Sequence, residues 1–175
     1  MKPLREVAQA YVALAEAERQ IQQEMFREAA DNCRKAMEIS RTIPSEEAFD
    51  HSGFDAFCHA RLSEALGRLG LFGDSLASSD KALYYFNRRG ELNQEDGKFW
   101  IAAVFSRGVA LQETGLTAEG TKALGTAREM ISERKGELPG RETMLAEIER
   151  RLAGSGKQAK PAGKPGYRAW WEFWS

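Results

Sequence analysis

Histidine and cysteine are scarce: two of each in 175 residues, His51 and His59, Cys33 and Cys58. The histidines form no HxxxH spacing and no second acidic or thiol cluster completes a ligand set, so no metal centre is implied. Cys58 and His59 are adjacent, but helix neighbours point about 100° apart and cannot work as one nucleophile–base dyad. The cysteines sit on separate predicted helices and read as small core residues rather than a disulfide. His59 falls on a core-facing position of its helix, which predicts a satisfied core histidine. No apolar run approaches the roughly 18 residues of a membrane span. Acidic residues follow the first methionine too soon for a secretory leader, and a cytoplasmic location is expected. Charge of one sign is not in excess, with 25 Lys+Arg against 26 Asp+Glu, so no field draws nucleic acid. Gly154-Ser155-Gly156-Lys157 lacks the strand, first glycine and Ser/Thr of a phosphate loop and reads as linker. No cofactor and no enzymatic activity are expected.

What is present is helical periodicity. Apolar residues recur three and four apart, and no period-2 alternation marks a strand. Seven helices are predicted, at Pro3–Glu24, Phe26–Ser40, Phe54–Leu69, Phe72–Arg88, Gly97–Thr114, Thr117–Lys135 and Arg141–Ala153. Pro44 marks a loop over 41–52, a polar stretch at 87–94 marks a second, and Pro139-Gly140 ends the sixth helix. Composition then changes abruptly. Residues 154–166 are a Gly/Pro/Lys linker predicted to be flexible. Residues 167–175, YRAWWEFWS, hold three of the four tryptophans. The expected organisation is a helical domain over 1–153, the linker, and an aromatic C-terminal tail. Residues 154–175 carry a net +3, leaving about −4 in the body.

Within the body one pattern recurs: Leu62, Leu66, Gly70, Phe72 and Ala82, then Gly108, Leu111, Gly115 and Ala127. It resembles the tetratricopeptide repeat (TPR), in which small residues let paired helices approach and larger ones fill the gap to the next pair. Residues 59–83 match well, and 104–127 match with Arg107 in place of a leucine. Residues 17–36 match weakly, because Gln20 and Glu24 depart from the pattern. Ala36, Ala82 and Ala127 lie 46 and 45 apart, against about 34 in the standard repeat. The chain is also similar to small bacterial TPR-like domains of unassigned function. The resemblance implies an all-α, right-handed α–α superhelix of three long hairpins plus a C-terminal capping helix.

It further implies a scaffold that binds a protein or peptide in a concave groove. Carried across by motif, the groove residues are Tyr11, Leu14, Phe57, Arg61, Glu64, Arg68, Phe105, Val109 and Gln112. Such a floor, apolar with arginine at its edge, suits an extended or helical peptide. The alternative is that the long helices bury these same side chains. Tyr167, Trp170, Trp171, Phe173 and Trp174 form a second candidate motif, because each tryptophan hides on the order of 200 Å² when it finds a surface. Three fates stay open for it: docking in the chain's own groove or a neighbour's, which would make a homo-oligomer by tail exchange; lying at a membrane surface, as a peripheral assembly factor would; or remaining free of the body.

Overall fold

The computed structural model describes residues 2–89 and 94–154. Among them are seven helices and no strand: α1 (Lys2–Gln22), α2 (Phe26–Arg41), α3 (His51–Arg68), α4 (Phe72–Arg89), α5 (Gln94–Glu113), α6 (Thr117–Glu133) and α7 (Arg141–Gly154). Consecutive helices pair as three hairpins, α1/α2, α3/α4 and α5/α6, and each hairpin stacks on the next through α2/α3 and α4/α5. The expected linker beyond Gly154 and the aromatic segment lie outside the described residues.

The repeat is legible in the geometry of its turns. Each hairpin closes through a residue in the left-handed region, Glu24 (φ 62°), Gly70 (φ 80°) and Gly115 (φ 98°), again 46 and 45 residues apart. The next amide reaches back to a carbonyl in the preceding helix: Met25 N to Gln20 O at 2.8 Å, Leu71 N to Leu66 O and Leu116 N to Leu111 O, both at 2.9 Å. That bond closes a Schellman motif, which satisfies a carbonyl the helix end would otherwise orphan. Glu24, a departure in the sequence pattern, therefore occupies the position of the turn glycine. The other departure, Gln20, is buried, and its side-chain oxygen accepts from Asn32 Nδ2 at 2.8 Å. Arg107 is explained by Asp80 on α4, 2.8 Å from its Nε.

Paired small residues set how closely the helices of a hairpin approach. Ala17 and Ala29, both fully buried, occupy these steps in the first hairpin. Ser63 and Ser75 occupy them in the second, where Ser75 Oγ donates to Ser63 O at 2.8 Å. In the third they are Gly108 and Gly120, and a Cβ on Gly120 would stand 2.8 Å from both Gln112 N and Gly108 O. The third hairpin is packed backbone to backbone. The rest of the core is filled by large side chains such as Phe54, Phe86, Ile101, Leu124 and Ile131, each at most 1% exposed. Each contributes about 1.5–3 kcal/mol by leaving water.

Two helix starts differ from the sequence reading. α3 begins at His51 rather than Phe54, because Asp50 caps it, accepting from Gly53 N at 3.0 Å. α5 begins at Gln94 rather than Gly97. The seventh helix packs on α6 through Met144 and Ile148. Arg141 fixes its start by donating to three carbonyls left by the end of α6: Ile131 O at 2.9 Å, and Arg134 O and Gly136 O at 3.3 Å. A cation at a helix C-terminus is favoured by the helix dipole as well as by the bonds.

Candidate functional site: a pocket between the first helices and α7

The first helix of each hairpin and α7 enclose a pocket of about 320 Å³. Its apolar wall is Ile21 from α1, Phe72 from the start of α4, Phe105 and Val109 from α5, and Met144 from α7. Its polar lining includes Glu24, Glu64, Arg68, Ser106, Thr143, Glu147 and Arg151. The pocket is small because the chain beyond α6 folds back over it. Pro139 lines an adjoining 170 Å³ cleft together with Glu18, Gln22 and Lys98. A Cβ on Gly140 would lie 3.7 Å from the Gln22 amide nitrogen. Arg151 then ties α7 to α5, 2.9 Å from Glu113 and 3.4 Å from Gln112 Oε1.

Of the nine residues expected at a groove, Glu64, Arg68, Phe105 and Val109 line this pocket. Leu14 is core, 3% exposed. Tyr11 faces elsewhere, edge-on to Phe54 at 4.9 Å and Phe49 at 6.4 Å. Phe57 stacks on Phe99 at 4.5 Å and on Phe86 at 6.2 Å. Gln112 is engaged by Thr121, 3.1 Å from its Nε2. Arg61, expected at the groove edge, is 9% exposed and lines the adjoining cleft together with Glu64. It contacts Glu18 at 2.7 Å and Glu64 at 2.9 Å, and its guanidinium lies 4.7 Å from the Phe99 ring centre. Lys98 adds a fourth charge, 3.5 Å from Glu18. This network joins α1, α3 and α5 and consumes the polarity that the sequence placed in the groove. What the sequence reading lacked is the α7 wall. Thr143, Met144, Glu147 and Arg151 become site residues only once the chain returns across the inner face.

Two polar groups in the pocket have no partner of their usual kind. Ser106 Oγ is buried, its residue 4% exposed, with no hydrogen bond. Such an orphan costs about 1–3 kcal/mol unless something supplies a bond. Arg68 has no carboxylate within ion-pair distance among the described residues; its guanidinium sits 4.5 Å over the Phe26 ring.

Three titratable side chains elsewhere, Cys33, Cys58 and His59, are held in their neutral forms by burial. Burial raises the Cys33 thiol to about 12. Cys58 is raised as well, by burial and then by Cys33. Neither is a thiolate near neutral pH, the form a nucleophile needs. The expectation of a satisfied core histidine needs correction. His59 is half-buried, its Nδ1 has no partner, and burial, with Lys81 and Arg41, lowers its pKa from 6.5 to about 4. The folded chain therefore resists a proton that the unfolded chain accepts. Stability is full above pH 6.5 and declines as pH falls toward 4. Because His59 is only partly buried, solvent screening limits the loss to about 1–2 kcal/mol. Thermal melts from pH 7 to 4.5 should show this slope in wild type and a shallower one in His59→Gln; parallel slopes would remove His59 as the cause.

An all-helical array of hairpins with a stereotyped turn and a closing helix defines a TPR-like repeat protein. The chain belongs to the family described as Domain of Unknown Function (DUF3856), whose family model matches residues 2–144. It is similar to a solved structure, the crystal structure of a TPR-like protein from Chlorobium tepidum TLS. The two are 58% identical, with a TM-score of 0.83, over 89% of this chain and 99% of that one. No curated protein matches the sequence. Among the described residues no helix is long and apolar enough to cross a membrane.

Proposed function

We propose that this protein is a non-enzymatic scaffold that captures a peptide segment by seating one aromatic or large aliphatic side chain in the inner pocket. The observation that carries this reading is the pocket's lining: Phe72, Phe105, Val109 and Met144 present large apolar side chains to one cavity. A cavity of about 320 Å³ takes one large side chain, presented by an extended or a helical segment. Arg68 and the Glu64 carboxylate give the site polarity, so that the peptide on either side of the anchor docks in one direction.

Peptide-display selection against the full chain tests the reading, with Thr143→Phe as the counter-target. Thr143 is an exposed residue of the pocket lining, so the new ring obstructs the mouth without disturbing the core. Enriched peptides should share one large apolar residue and bind Thr143→Phe at least about tenfold more weakly, the equivalent of 1.4 kcal/mol. Peptides that bind both proteins equally would remove the pocket from the account.

A further inference from the structure

We infer that the pocket is occupied in cis by one indole from this chain's own residues 167–175. The inference rests on reading the pocket as a single-anchor seat, and it names the anchor.

Chemistry argues for an indole. The indole N–H is a donor with no acceptor capacity, the complement of the Glu24, Glu64 and Glu147 carboxylates in the lining, which only accept. The remaining walls suit the ring: Phe105 and Phe72 offer aromatic faces or edges, Val109 an aliphatic contact, and Met144 a thioether, which is favourable against an aromatic ring. A phenylalanine anchor has no N–H to offer those carboxylates. The sequence concentrates its candidates in one place, with Trp170, Trp171 and Trp174 inside nine residues.

Reach argues for the same chain. Arg151, on the pocket wall, lies three residues before Gly154, where α7 ends; that is about 4.5 Å along the helix axis. Twelve residues, 155–166, then precede Tyr167, and twelve residues can span up to about 40 Å. The linker is thus several times longer than a return to the pocket requires, and tethering gives a cis ligand an effective concentration near the millimolar range. Charge agrees. The pocket lining carries Glu24, Glu64 and Glu147 against Arg68 and Arg151, whereas residues 155–175 carry Lys157, Lys160, Lys164 and Arg168 against Glu172. The chain would then regulate its own site, and a peptide partner would have to displace the indole.

A photo-crosslinking amino acid, p-benzoylphenylalanine, placed at position 23 of the full-length chain, an exposed position beside the lining residues Gln22 and Glu24, tests this directly. Irradiation of dilute protein should give an intrachain crosslink to the tryptic peptide that follows Arg168. Its yield should not change over a hundredfold range of protein concentration. Trp170→Ser, Trp171→Ser and Trp174→Ser together should abolish it. Absence of the crosslink overturns the inference. So does a crosslink that forms only between two chains and grows with concentration, which would mean tail exchange. Flotation of residues 167–175 with anionic phosphatidylglycerol vesicles, lost in the triple tryptophan variant and accompanied by no crosslink, overturns it in favour of a membrane surface. The two readings fail separately. If display peptides still distinguish Thr143→Phe from wild type while the crosslink is absent, only the cis occupant is wrong. If display peptides bind both proteins alike, the anchor pocket itself falls.

Discussion

Gly120→Ala should lower the stability of the fold by about 3 kcal/mol, whereas Gly125→Ala, on the same helix, should raise it by about 0.5–1 kcal/mol. The two substitutions add the same methyl group and change helix propensity in the same favourable direction. They differ in what the methyl meets. At Gly125 nothing lies within 4 Å. At Gly120 the new carbon would stand 2.8 Å from backbone atoms Gln112 N and Gly108 O and 2.6 Å from Gln112 Cγ. The α5 backbone cannot rotate away as a side chain can, so α5 and α6 must separate and forfeit their packing. At roughly 2–4 °C per kcal/mol for a chain of this size, Gly120→Ala should melt about 6–12 °C lower. Equal melting temperatures for the two variants would show that the third hairpin is not packed backbone to backbone. Gln112 also borders the pocket through Arg151, so the same variant should weaken peptide capture even where it remains folded.

The second large effect belongs to Arg61. Arg61→Met should cost about 3–5 kcal/mol, because it strands two carboxylates, Glu18 and Glu64, that share one buried guanidinium. The arginine side chain is 10% exposed, Glu64 14% and Glu18 26%, so water from the adjoining cleft replaces the lost bonds only in part. Lys98, 3.5 Å from Glu18, leaves one carboxylate with partial compensation and Glu64 with none. Combining Arg61→Met with Glu18→Gln and Glu64→Gln should recover most of the loss, since buried ion networks contribute little over neutral replacements when every member is removed together. Chemical denaturation of the single and triple variants provides the measurement. A loss below about 1 kcal/mol in the single variant would mean that the network is screened like a surface pair. Because it joins the first helices of all three hairpins, the network holds the inner face in shape, and its loss should widen the pocket.

The contrast between fold and site in the sequence has a physical basis. Helix hairpins are local objects: a left-handed turn residue, small residues at matched steps and a 3.6-residue apolar stripe all lie within one stretch of about 45 residues, so Gly70, Gly115, Ala82 and Ala127 announce them. Even the weak first repeat obeys the same geometry, with Glu24 adopting the conformation that glycine provides elsewhere. The pocket is a non-local object. Glu64, Arg68, Phe105 and Val109 could be carried to it by register along equivalent helices. Leu14 and Phe57 could not be separated from them, because burial depends on neighbours from other hairpins. Arg61 looked like a groove-edge cation and is an ion-paired one, a difference set by Glu18, 43 residues away. The α7 wall was invisible for the same reason: Met144 and Ile148 read as one apolar stripe, with no sign that Thr143, Glu147 and Arg151 on the same helix would turn toward α1 and α5.

The most direct test of a peptide seat between the first helices and α7 is a methyl-resolved NMR titration of the full chain with a peptide from the display selection. The account predicts that Ile21, Val109 and Met144, on three different helices, shift together and saturate at one peptide equivalent. Val12, two-thirds exposed on α1, should stay fixed, as should Met25, Leu71 and Leu116 at the hairpin turns. Shifts centred on Val12 or on the turn residues, with Ile21, Val109 and Met144 unmoved, would contradict it.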